Sequence, residues 1–219
     1  MTDSAAAWTV VVPVKGTADG KSRMSPAIDE AGRRLLVEAF ARDALAAVAA
    51  SPYVERMIVV TDAAAPVASL LRSLGAEIVA DPGGGLNAAI AAGVDRVRTP
   101  VAVLLGDLPT LTTADLDDAL ALAAEHPLAF VTDADRTGTT LLTARDPADL
   151  VPRFGTGSAG RHQAAGHTLL GIGALSSLRH DVDTEADLVE ATQRGLGPHT
   201  AEAVRGLSPR AESAPSPRR

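Results

Sequence analysis

Three groups of residues have types and spacing suited to bringing phosphorylated molecules and a divalent cation together. Gly106-Asp107-Leu108-Pro109 follows the apolar run Val101 to Leu105, so Asp107 is expected at the carboxyl end of a buried strand. A carboxylate there needs a partner. It could bind a cation or cap the next helix, and for the cap Thr112 or Thr113 is better placed. Asp181-Val182-Asp183 is a second acid pair, whose carboxylates share one face if the segment is extended. It too could cap a helix, one starting near Thr184. Together the three acids form the oxygen-only ligand set that Mg²⁺ prefers. Lys15, Lys21 and Arg23 crowd into one short stretch whose single acid is Asp19, which reads either as a phosphate site or as a solvated loop.

Other motifs are narrowed by what they lack. Gly16 to Ser22 resembles a P-loop but has three residues between its glycines instead of four, and Pro26 follows before any helical pattern starts. Glycines beside cations still let backbone N–H groups approach phosphate oxygens. Two further glycine loops, Asp81 to Asn87 and Arg153 to Ser158, are turns or binding loops; Asn87 could address a base or ribose, or cap its helix. Ser158 and His162 do not make a hydrolase, because no Gly-x-Ser-x-Gly elbow is present. The five histidines lack metal-ligand spacing, and most are expected at the surface.

The elements that must position these residues follow from periodicity. β-branched runs at Trp8 to Val14, Met57 to Thr61, Glu77 to Ala80, Val101 to Leu105 and Ala129 to Thr132 alternate with helical stretches at Glu30 to Ala50, Ala64 to Leu74, Leu86 to Val97 and Thr113 to Glu125. That alternation predicts an α/β fold with a mainly parallel sheet and helices on both faces. Ligands in such folds bind beyond the carboxyl ends of the strands. Lys15 to Asp29 is long for a strand-to-helix loop, which marks it as functional. After residue 135 come short pieces at Thr139 to Thr143 and Thr168 to Leu170, a helix from Thr184 and a short one near Pro198, read as a mixed extension closing over the sheet. One domain over residues 1–207 is expected, with 208–219 a disordered tail lacking apolar period.

Composition excludes several classes. A net charge of −7 and 2% aromatic residues argue against nucleic-acid binding. Without a long apolar run, neither a membrane span nor a signal peptide is expected, and the absence of cysteine rules out thiolate chemistry and fits a cytoplasmic enzyme.

Val12-Pro13-Val14-Lys15, Lys21-Ser22-Arg23-Met24, Gly85 to Ile90, Gly106 to Pro109 and Asp181 to Thr184 occur in an order that resembles the guanylyltransferases of coenzyme F-420 biosynthesis, over about residues 8–205. The resemblance implies the Rossmann-like nucleotidyltransferase fold shared with nucleotide-diphospho-sugar transferases, and transfer of GMP from GTP to a phosphorylated three-carbon acid. The resemblance is to the actinobacterial branch of the family, which implies phosphoenolpyruvate as that acid; 2-phospho-L-lactate, 3-phosphoglycerate and a related molybdopterin or cytidylyl transfer are the alternatives. It implies that Lys15, Lys21 and Arg23 embrace the GTP phosphates, that Pro13, Gly85 and Asn87 lie near the nucleotide, and that Asp107, Asp181 and Asp183 hold Mg²⁺. Thr140, Gly155 and Ser158 would hold the acid, and the product would pass to a downstream enzyme of the pathway. Thr156-Gly157 is smaller than the family's usual pair, which bears on the acid's identity and not on the reaction.

Overall fold

In a computed structural model, described over residues 7–14, 28–62 and 64–207, an Asp29 carboxylate accepts from the Gly32 amide and starts helix α1, Glu30–Ala50. Of its buried side chains, Ala41, Ala44, Leu45 and Val48 face a sheet whose first strand β1, Trp8–Pro13, is buried along its whole length. Parallel to β1 lie β2, Val54–Thr61, on one side and β4, Val101–Leu104, on the other; β3, Glu77–Ala80, pairs parallel with β2. Complete burial of Val10 to Val12 and Val101 to Leu104 is what a parallel sheet covered on both faces requires. Helices α2, Pro66–Ser73, α3, Leu86–Val94, and α4, Thr113–Ala123, complete the crossovers.

The later strands do not fold over this sheet, as the short pieces after residue 135 suggested; they widen it. β5, Leu128–Thr132, β6, Thr139–Ala144, and β7, Thr168–Leu169, give the seven-stranded order β3-β2-β1-β4-β6-β5-β7 among the described residues. Only β6 runs against its neighbours, pairing antiparallel with β4 and β5. The short hairpin 133–138 forces this reversal and brings the β5–β6 turn to the edge where β1 and β4 end. Thr132 opposes Thr139 whereas Val131 opposes Leu141, so Thr140 is an extra residue, a bulge beside that edge.

Helix α5, Ser158–Ala164, starts inside the stretch read as loop, and α6, Glu185–Arg194, and α7, Pro198–Leu207, pack with α1 around Leu36, Phe40, Val182, Ala191 and Ala203. The tail beyond residue 207, expected to be disordered, lies outside the described residues. No helix among the described residues is long and apolar enough to cross a membrane.

Candidate active site

The chain leaves β1 in one direction toward β2 and β3 and returns on the other side at β4. Ligands bind at such a reversal. Asp107 sits just past β4, where Gly106 lies against Val12, Val14 and the Pro13 carbonyl of β1. The Asp107 carbonyl accepts from the Val182 amide at 3.0 Å, which docks the distant segment 181–183 beside it. Val182 is 1% exposed and faces the α1 cluster, so Asp181 and Asp183 on either side of it turn to the site. The three carboxylates each offer an oxygen within 4.8 Å of the others.

Helix caps do not account for these acids. Thr112 caps α4, accepting from the Asp115 amide, and Thr184 caps α6 in a capping box with Asp187. Burial first, then the charges of Asp107, Asp183 and Asp133, pushes the Asp181 carboxyl up to about 7. An oxygen-only cluster that raises its own member in this way suits a hard divalent cation.

A cleft of about 860 Å³ opens from these acids. Asp133 and Thr137 of the β5–β6 turn and Thr139 at the start of β6 line it, as do Gly155 to Ser158, the α6 cap Thr184 and, from α6, Asp187, Glu190 and Arg194. Asp133 shapes the turn by accepting from the Thr137 amide at 2.9 Å and the Gly138 amide at 2.7 Å. Buried Arg179 donates to the Asp133 carbonyl at 2.9 Å.

The Arg153–Gly157 loop is held from three sides. The Phe154 amide donates to Asn87 Oδ1 at 2.8 Å, while Asn87 Nδ2 donates back to the Phe154 carbonyl at 3.2 Å. The Arg161 guanidinium donates to the carbonyls of Arg153 and Thr156. The Arg153 amide donates to His162 Nε2 at 3.0 Å, and His162 Nδ1 lies 2.9 Å from Thr139 Oγ1. Gly157, at φ 72°, turns the loop into α5 and leaves Ser158 at its first position, 2% exposed and donating to Thr139 Oγ1 at 3.2 Å.

The predicted residues are thus placed unevenly. Asp107, Asp181, Asp183, Gly155 and Ser158 line one cleft. Thr140 lies at the bulge, with its hydroxyl buried and without a hydrogen-bond partner among the described residues. Pro13 ends β1 beside Gly106, and Gly85, at φ 94°, caps α3 after two more glycines of positive φ. Each end of the Asn87 amide makes one hydrogen bond to Phe154, so this side chain holds the Arg153–Gly157 loop against the start of α3. Lys15, Lys21 and Arg23 lie outside the described residues.

Sequence reasoning missed Asp133, Thr139, Arg179 and His162. Two of the five histidines are buried, His162 at 0% and His167 at 4% exposed, while the other three are partly exposed. Nothing in their spacing announces this, because they are buried by the sheet and the loop and not by a period of their own helix.

The family model described as "Guanylyl transferase CofC like" matches residues 8–219. Among related proteins, phosphoenolpyruvate guanylyltransferase of Streptomyces coelicolor (strain ATCC BAA-471 / A3(2) / M145) is 48% identical, covering 89% of this chain and 94% of its own. The protein of the same name from Mycolicibacterium gilvum (strain PYR-GCK) is 40% identical, with the same coverage of 89% and 94%. The fold is similar to that of a putative nucleotide-diphospho-sugar transferase from Desulfovibrio desulfuricans G20, with a TM-score of 0.66, 16% identity and coverage of 91% and 94%. The carboxylate cluster at the β1–β4 reversal, the cleft it opens and a match along nearly all of the sequence agree: the chain belongs to the CofC-like guanylyl transferase family.

Proposed function

We propose that this guanylyltransferase transfers GMP from GTP to phosphoenolpyruvate in coenzyme F-420 biosynthesis, in the cytoplasm. The relatives' names and the carboxylate cluster on the cleft shared with the Arg153–Ser158 loop support that reading. A phosphate oxygen of the acid attacks the α-phosphorus of GTP. The new O–P bond forms as the bond to the bridging oxygen breaks, and pyrophosphate leaves with that electron pair, giving enolpyruvyl-diphospho-guanosine. A phosphate monoester is largely a dianion at pH 7, so the reaction needs no general base. The obstacle is the meeting of two polyanions.

Asp107, Asp181 and Asp183 would hold Mg²⁺, which when bound supplies charge neutralisation for the phosphates. Lys15, Lys21 and Arg23 are proposed as the phosphate-binding cations, and Pro13 and Gly85 as walls of the nucleotide site, with Asn87 acting through Phe154. Thr140, Gly155 and Ser158 are proposed to bind the acid, the orphaned hydroxyl of Thr140 being one donor in want of an acceptor. The product would pass to a downstream enzyme of the pathway. Residues 1–207 are proposed to form one domain.

Pyrophosphate release from GTP and Mg²⁺, assayed side by side with phosphoenolpyruvate, 2-phospho-L-lactate and 3-phosphoglycerate, tests the assignment. Fast release with phosphoenolpyruvate alone is expected. A preference for either other acid overturns the substrate, and release with none of them overturns the reading.

A further inference from the structure

His162 belongs to no part of the reaction just described, yet it is fully buried and both ring nitrogens are engaged. The Arg153 amide can only donate, so Nε2 accepts. A neutral imidazole then carries its proton on Nδ1 and donates it to Thr139 Oγ1. Burial, reinforced by His167 and the Arg161 and Arg153 charges, lowers this imidazole to about 4 and keeps it neutral.

Thr139 Oγ1 therefore receives two hydrogen bonds, from His162 Nδ1 and from the Ser158 hydroxyl. A hydroxyl has two acceptor lone pairs and one proton. With both lone pairs filled, the Thr139 proton must be directed elsewhere, and Thr139 lines the cleft. Ser158, by contrast, has given its proton to Thr139.

We propose that Thr139 is the hydroxyl donor to an anionic oxygen of the acid substrate, and that His162 is the positioning residue that fixes its polarity. The assignment rests on the guanylyl-transfer reading above. It adds a donor beside Thr140, leaves the Ser158 hydroxyl acting on the acid through Thr139, and gives His162 a role without proton transfer.

Thr139→Val keeps the shape and removes the proton. It should raise the KM for phosphoenolpyruvate roughly ten- to a hundred-fold, as for loss of a hydrogen bond to a charged group, with the KM for GTP within about two-fold. Thr139→Ser should restore most of the affinity. His162→Gln should give the same selective rise in acid KM. Independently, ¹⁵N spectra of histidine-labelled wild-type protein at pH 7, with the signal assigned by its loss in His162→Gln, should show a neutral ring protonated at Nδ1. An Nε2–H tautomer or an imidazolium overturns the polarity argument. An unchanged acid KM in Thr139→Val, or an equal loss of GTP affinity, overturns the donor role. If wild-type enzyme turns over none of the acids, the parent reading fails, while the tautomer measurement still judges the His162 chain.

Discussion

Three carboxylates gathered within 4.8 Å repel one another, and the burial that raises Asp181 adds to the penalty. A carboxyl raised on folding contributes stability below its unfolded value of 3.8 and loses it as pH rises toward about 7. Replacing Asp107 by Asn removes one charge without changing shape. Pyrophosphate release should fall at least a hundred-fold, while the melting temperature in chelator at pH 8 stays equal or rises. Addition of Mg²⁺ or Mn²⁺ should raise the melting temperature of the wild type but not of the variant. A metal-induced shift that survives in Asp107→Asn would remove the cation from this site. These acids were legible because Asp107 ends an apolar run and Asp181 and Asp183 share an alternation, although deciding against helix caps required Thr112 and Thr184 to be seen doing that work.

The buried histidines set a second pH dependence, of opposite sign. His162, lowered from 6.5 to about 4, contributes stability that is full above 6.5 and is lost as pH falls toward 4; burial shifts His167 the same way. The melting temperature should drop through that window, and His162→Gln should flatten the slope. An unchanged slope would mean that the ring is already solvated.

Among the elements, α3 is the most tightly constrained at one point. A Cβ on Gly93 would stand 2.5 Å from Val11 Cγ1 and 2.9 Å from Val60 Cγ2, both on fully packed strands. Alanine would gain about 1 kcal/mol in helix propensity. Overpacking a core costs about 1–3 kcal/mol, so the clash should win or at best break even. Gly93→Ala should therefore lower the urea midpoint; a clear rise would show that α3 can lift from the sheet without penalty. Elements with strong period were readable to the residue, as β3 and the long α1 show. Helix α5 was not, since it has seven residues and follows Gly155-Thr156-Gly157, a sequence indistinguishable from a turn until the αL conformation at Gly157 is known. Antiparallel β6 was equally hidden, because Thr139–Ala144 carries no mark of its direction.

At the scale of the whole molecule, one sheet runs from β3, which leads into the glycine loop before α3, to the strands β6, β5 and β7 that flank the Arg153–Ser158 loop. If residues 1–207 form one domain, unfolding has no natural dividing line. Trp8, the only tryptophan, is fully buried in β1 and reports on the central strands. Its fluorescence and far-ultraviolet circular dichroism should show coincident denaturation midpoints. Separate midpoints would divide the chain into two folding units.

The single backbone hydrogen bond from Val182 to Asp107 has a temporal meaning as well. A chain emerging from the ribosome presents its amino-terminal strands first, and Asp107 can reach its place long before residue 182 is made. Until the last part is synthesised and docked, the cluster has one carboxylate instead of three. If the three acids hold a cation as proposed, strong binding waits for segment 181–183 to dock, and during refolding a metal-dependent signal should be among the last to appear, after burial of Trp8.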